Sequence, residues 1–190
     1  MRTAISAQQA AFFTKNGFIE FEIPHPTPLQ SPNRDLWRQN GELKEFIIRT
    51  LGQTALTLTG KKRLRLGLDQ WMTQENRPER PCLLKEMFCI QGSVLGAMMA
   101  PHPILPAKRS PLGILPLPSS PANILFFRTD LILDWPHAAS DAFLIVFTLS
   151  NAVYIHNPKD PWTHFLKSFG YHFGDLLRNE THPLILTKSH

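Results

Sequence analysis

The side chains able to do metal or acid–base chemistry are scattered along this sequence. Of its eight histidines, none is followed two residues later by Asp or Glu, and none lies between His25 and His102. A His-x-Asp/Glu pair with a later His is what holds Fe(II) while leaving coordination positions open, and that pattern is absent. Asp134 and His137, with Glu86 or Asp130, offer an oxygen–nitrogen set, set against the ordinary solvation of carboxylates near turns. His164 and His172 share a stripe with Ser168, but two histidines fall short of a metal site. Cys82 and Cys89 are spaced like no zinc ribbon, thioredoxin motif or disulfide framework. Both read as inert thiols, with Lys85 near them in sequence. The phosphate-cradling Gly-x-x-x-x-Gly-Lys-Ser/Thr, Gly-x-Gly-x-x-Gly, Gly-x-Ser-x-Gly and His-Glu-x-x-His are missing.

Basic residues are more clustered. Lys61, Lys62, Arg63 and Arg65 stand together, with Lys108 and Arg109 further on, and Arg63 and Arg65 fall on one strand face where they could track phosphates. No helix-turn-helix, RNA-recognition aromatic motif or zinc finger accompanies them. Nucleic acid bound this way would be held electrostatically and released by salt.

The bulk properties bound these readings. The chain has 190 residues, a net charge of +5, 43% hydrophobic and 18% charged residues, and a pI near 9.5. That size suits one domain over 1–190 with one substantial core. The basic balance favours anionic partners. No stretch approaches the ~18 apolar residues of a membrane span, and Met1 to Ala11 lacks a signal-peptide core. A cytoplasmic protein with no membrane partner is therefore expected, in a reducing compartment that keeps both cysteines free.

The elements that must position these residues are legible from periodicity. Ser6 with Gln9 makes a capping box, and Asn16-Gly17 a left-handed stop, so a helix is predicted over Ala7 to Lys15. Ile19, Phe21 and Ile23 then alternate with Glu20 and Glu22, the pattern of a half-buried strand. Prolines between Pro24 and Pro32 impose an extended connection. A helix is expected from Asp35 to Leu51, interrupted at Gly41 and closed by Gly52. Strands follow at Ala55 to Thr59, then after a Gly60-Lys61 turn at Arg63 to Leu68, with Leu64, Leu66 and Leu68 facing one way. Further strands are expected at Leu83 to Ile90, Val94 to Met99, Ile114 to Leu117, Ile124 to Phe127, Leu131 to Leu133, Ala142 to Leu149 and Ala152 to Ile155. The proline-rich passage from Pro101 to Pro121 reads as edge strand and loop inside the domain, because its interleaved Ile and Leu residues need burial. Pro161 to Leu177 reads as a final helix weakened by Gly170 and Gly174. Many short strands at this spacing mean a β-rich sandwich or barrel.

Three segments together resemble the phytanoyl-CoA dioxygenase branch of the Fe(II)/2-oxoglutarate oxygenases. They are Phe13-Thr14-Lys15-Asn16-Gly17-Phe18-Ile19, the run Ala122 to Leu133 with Phe126-Phe127, and Tyr154 through Gly170 with Asn157-Pro158-Lys159-Asp160-Pro161. The resemblance implies an α+β, β-rich fold: a double-stranded β-helix, or jelly roll, of two antiparallel sheets with flanking helices and a pocket between the sheets. It also implies where the chemistry should sit, and there this chain departs from it. The proximal ligand pair would fall in Leu84-Lys85-Glu86-Met87-Phe88, the distal His near Leu133 or Asp134, and the carboxylate-clamping Arg near Phe143 to Val146. None of the required residues is present, and a bidentate clamp cannot be made from aliphatic side chains.

The expectation is therefore a degenerate member, a pseudoenzyme with no cofactor, that binds a small ligand or a protein partner. Lys85, Met87, Leu133, Asp134, Trp135 and Phe143 could line its emptied pocket, with Lys85 approaching Asp134 in the metal's electrostatic place. The alternative is a basic nucleic-acid-binding regulator using Lys61, Lys62, Arg63 and Arg65.

Overall fold

The computed structural model describes residues 5–26, 33–100 and 109–187, so Lys108 and the side chain of Arg109 lie outside the described residues. Helix α1 (Ala7–Asn16) begins where both halves of the capping box form: Gln9 N–H donates to Ser6 Oγ at 3.2 Å and Ser6 N–H to Gln9 Oε1 at 2.9 Å. Gly17, at φ +77°, ends it and donates to the Phe13 carbonyl. Strand β1 (Phe18–Glu22) follows at once, with Ile19, Phe21 and Ile23 buried.

The next helical passage runs longer than its sequence suggests. After a 3-10 turn at Leu36–Arg38 come α2 (Gly41–Phe46), a π-helical turn at Ile47–Leu51, and α3 (Gly52–Thr59). Gly52 does not stop the helix, and Ala55 to Thr59 is helix where strand was expected. Two local facts explain the difference. Thr54, Thr57 and Thr59 each donate a hydroxyl to the carbonyl four residues back, which lets threonine sit in a helix. Gly52 is needed for contact, since a Cβ there would come within 2.8 Å of the Ile185 side chain.

The strands form two sheets. The larger is antiparallel and contains β1, β2 (Arg63–Met72), β4 (Ile90–Met99), β7 (Asn123–Arg128), β9 (Ala142–Tyr154) and β10 (Leu184–Leu186), in the order β1-β7-β4-β9-β2-β10. The smaller has the order β3-β8-β6-β5, from β3 (Cys82–Leu83), β5 (Arg109–Ser110), β6 (Gly113–Ile114) and β8 (Ile132–Leu133), with β6 parallel to β8. The two strands expected at Ala142 to Leu149 and Ala152 to Ile155 are one, and the strand expected at Leu83 to Ile90 is interrupted by a 3-10 turn at Leu84–Glu86.

Both faces of the large sheet are covered. Phe143, Ile145 and Phe147 pack toward α2 and α3 with Trp71 and Leu43, while Leu144 and Val146 pack toward the small sheet with Leu84, Leu133 and Trp135. This explains why Ala142 to Phe147 is apolar without alternation. Leu64, Leu66 and Leu68 do not share a face. A bulge between Leu66 and Leu68 sends the first two toward the helices and Leu68 to the inter-sheet side. Gly67 permits it, because a Cβ there would lie 2.5 Å from Thr148 Cγ2.

The expected final helix is a short 3-10 turn, Phe165–Phe169, stopped by Gly170 at φ +73°, with Gly174 at φ +101°. The chain then runs beside the end of β9, where Gly174 and Leu177 donate to the Tyr154 and Ala152 carbonyls. Among the described residues, no helix is long and apolar enough to cross a membrane.

Candidate functional site

The space between the sheets, where a catalytic pocket was anticipated, is packed with hydrocarbon. Leu84 and Leu133 are fully buried, Trp135 is 1% exposed, and they pack with Met98, Leu125, Leu144 and Val146. The pairing of Cys82 with Leu133 and of Leu83 with Ile132 brings the proximal and distal segments side by side. Met87, Leu133 and Trp135 therefore share one cluster, whereas Phe143 faces the helices, stacked near Trp71. Lys85 is exposed. Asp134 is fully buried and accepts from His137 Nδ1 at 2.9 and 3.0 Å, so His137 takes the place expected of Lys85. Burial works against its charge, but hydrogen bonds from Ser110 and His137 outweigh it and hold Asp134 below the usual carboxylate range. Among the described residues, no three His, Cys, Asp or Glu side chains gather as a metal would require.

An open cleft of about 650 Å³ lies beside this core, bounded by the end of β2, the loop that leads to β3, and the turn at Lys159 to Pro161. Its floor is an ion pair that sequence inspection missed. Arg34 and Asp160 are both buried and joined at 2.7 and 2.9 Å by two parallel hydrogen bonds. Arg34 also donates from Nε and Nη2 to Gln70 Oε1, and its remaining Nη1 hydrogen faces Cys89 Sγ at 3.9 Å. Asp160 further accepts the backbone N–H of Cys89 and of Trp162. Burial opposes its ionisation, but the hydrogen bonds and charge of Arg34 prevail and hold Asp160 low. The pair spans 126 positions of sequence, and Asp160-Pro161 had looked like a helix start.

Two more buried titratable groups stand nearby. Asp69, fully buried on β2, accepts the N–H groups of Leu36 and Trp37 and so caps the 3-10 turn. Burial, helped by the neighbouring Asp35, pushes it up to about 7. His182, also fully buried, meets the Tyr171 hydroxyl through Nδ1 at 3.2 Å. Burial and the charges of Arg38, Arg65 and Arg178 push it down to about 3. The cysteines are free. Burial raises Cys82 to about 11 and Cys89 to about 12, so neither is a ready nucleophile.

The basic cluster divides. Lys61, Lys62 and Arg63 are exposed. Arg65 is an internal tie, donating to the Ser150 and His182 carbonyls and to Asn179 Oδ1.

No protein-family model and no curated protein sequence matches the chain. Solved structures do. The chain has the fold of non-heme alpha-ketoglutarate-dependent enzymes. It is similar to the carbocyclase SnoK of nogalamycin biosynthesis at 13% identity, covering 95% of this chain and 96% of that one, with a TM-score of 0.64. It is similar to the epimerase SnoN of the same biosynthesis at 13% identity, covering 93% and 97%, with a TM-score of 0.63. A complex of SnoN with Fe3+, alpha-ketoglutarate and nogalamycin RO matches with a TM-score of 0.60. At such identities the likeness is one of fold.

Proposed function

We propose that this chain is a non-catalytic binding protein on an oxygenase-like, double-stranded β-helix frame, and that the cleft over Arg34 and Asp160 is its ligand site. The observation that carries the reading is the packed apolar interior at Leu84, Leu133 and Trp135. These stand where the resemblance would have Fe(II) ligands, and the nearest carboxylate, Asp134, is spent on His137. The donor set present does not fit Fe(II), which asks for His and carboxylate oxygen facing open coordination positions. Nor does it fit 2-oxoglutarate, because Phe143 to Val146 supply no guanidinium.

Anaerobic titration with Fe(II), followed by an assay of 2-oxoglutarate conversion to succinate, tests the proposal. No stoichiometric iron binding and no succinate are expected. Tight Fe(II) binding accompanied by succinate would overturn it.

A further inference from the structure

The chemistry of the cleft says what kind of molecule it takes, given the reading above that the cleft is the ligand site. Clefts that hold carboxylates or phosphates bidentately do so with a guanidinium whose donors point into the open space. Arg34 is the buried cation of this cleft among the described residues, and a guanidinium has five N–H donors. All five are directed at the protein: two at Asp160, two at Gln70 Oε1 and one at Cys89 Sγ. Its charge is cancelled by a carboxylate in direct contact. An anionic ligand would have to break that pair to be held there, and would leave Asp160 buried without its partner.

The rest of the lining adds no excess of charge: Glu75, Glu79 and Glu86 are matched in number by Arg77, Arg80 and Lys159. Arg77 is further tied through Nη1 to the Ala138 carbonyl at 2.6 Å. The apolar part of the lining is Met72, Met87, Phe88, Pro78 and Pro81. Two thioethers and an aromatic ring adapt to flat or irregular hydrocarbon, and about 650 Å³ lies within the ~300–1,000 Å³ range of small-molecule sites.

We infer that the cleft binds an uncharged, mainly apolar small molecule, and that the Arg34–Asp160 pair serves as a neutral floor. The uncharged, environment-sensitive dye N-phenyl-1-naphthylamine provides the test, by fluorescence titration of the full chain. Saturable binding near one dye per chain is expected. Met87→Trp, which enlarges a side chain that lines the cleft, should weaken it at least ten-fold, whereas Leu186→Trp, at a 56% exposed position on β10, should leave it unchanged. Cys82→Trp, at a half-buried lining position, repeats the test should the Met87 variant not fold. Millimolar 2-oxoglutarate should not displace the dye, and the anionic 1-anilinonaphthalene-8-sulfonate should bind more weakly. Absence of saturable binding, equal affinity in the cleft-lining and control variants, displacement by 2-oxoglutarate, or preference for the anionic dye would each overturn the inference. Succinate formation, in contrast, bears on the non-catalytic reading alone, so the two failures are distinguishable.

Discussion

Asp160→Asn should be among the most damaging single-atom changes this protein can suffer. Each Asp160 oxygen accepts two donors: Oδ1 from Arg34 and Trp162 N–H, Oδ2 from Arg34 and Cys89 N–H. Whichever way the amide turns, its NH2 group faces two donors, and Arg34 remains charged and buried. Removing one partner of a buried pair costs about 3–5 kcal/mol, and each orphaned N–H adds ~1–3 kcal/mol. For a chain of this length that corresponds to a fall in Tm of about 10 °C or more. The double variant Arg34→Met/Asp160→Leu removes both charges but leaves the Cys89 and Trp162 N–H groups without acceptors, so it should cost about 2–6 kcal/mol, less than the sum of the single changes. The pH dependence has a fixed sign. Asp160 is held low in the folded state, so its contribution is present above the unfolded value of about 3.9 and is lost as pH falls through the lower folded value. The gap between wild type and Asp160→Asn should therefore narrow in strong acid. Urea denaturation of Asp160→Asn and of the four proteins of the cycle, wild type, Arg34→Met, Asp160→Leu and the double variant, provides the measurement. Single variants within about 1 kcal/mol of wild type, or simple additivity, would refute the reasoning.

Asp69 and His182 should give opposite pH signatures. Asp69, raised to about 7, stabilises below its unfolded value near ~3.9, and that contribution disappears as pH rises through the folded value. The His182 contribution, with the folded value lowered to about 3, is present above ~6.5 and lost as pH falls. Over pH 4 to 7, Asp69→Asn should steepen the rise of urea stability with pH, and His182→Gln should turn it downward. Gly67→Ala, whose methyl would meet Thr148 Cγ2 at 2.5 Å, should lower stability by about 1–3 kcal/mol in the same assay. Arg65→Met should cost a comparable amount through its lost carbonyl partners, while Lys62→Gln should leave the melting temperature within a degree of wild type.

Local signals were read well from the sequence. Ser6 with Gln9, Asn16-Gly17 and the alternation of Ile19, Phe21 and Ile23 carry their meaning within a few residues, and the structure follows them. Signals whose meaning depends on a distant neighbour were misread. Gly52 looks like a stop until Ile185 is seen against it, and Leu68 looks like a partner of Leu66 until Gly67 bulges against Thr148. The threonines of α3 favour a strand by propensity and enter the helix through hydroxyl bonds to its own carbonyls. The site shows the same division. The missing ligand pattern could be read directly, and Met87 does border the cleft. The cleft's floor could not be read, because Arg34, Gln70 and Asp160 carry no local motif and meet only through the pairing of distant segments.

The order of the large sheet also bears on which segment could drive aggregation. Ala142 to Phe147 is the kind of uncharged, β-prone, proline-free run that seeds fibrils when it is laid open. It sits on β9, enclosed by β4 and β2, with side chains buried on both faces. The sheet's two free margins are poor templates for a visiting strand: β1 is five residues long, ends on the exposed Glu22 and runs into Pro24, and β10 has three residues and follows Pro183. The hazardous segment is shielded by its place in the sheet, with Asp141 as the charge that directly flanks it. Clumping should thus require that the sheet first come apart, and the rate at which this protein precipitates should follow the fraction of chains unfolded.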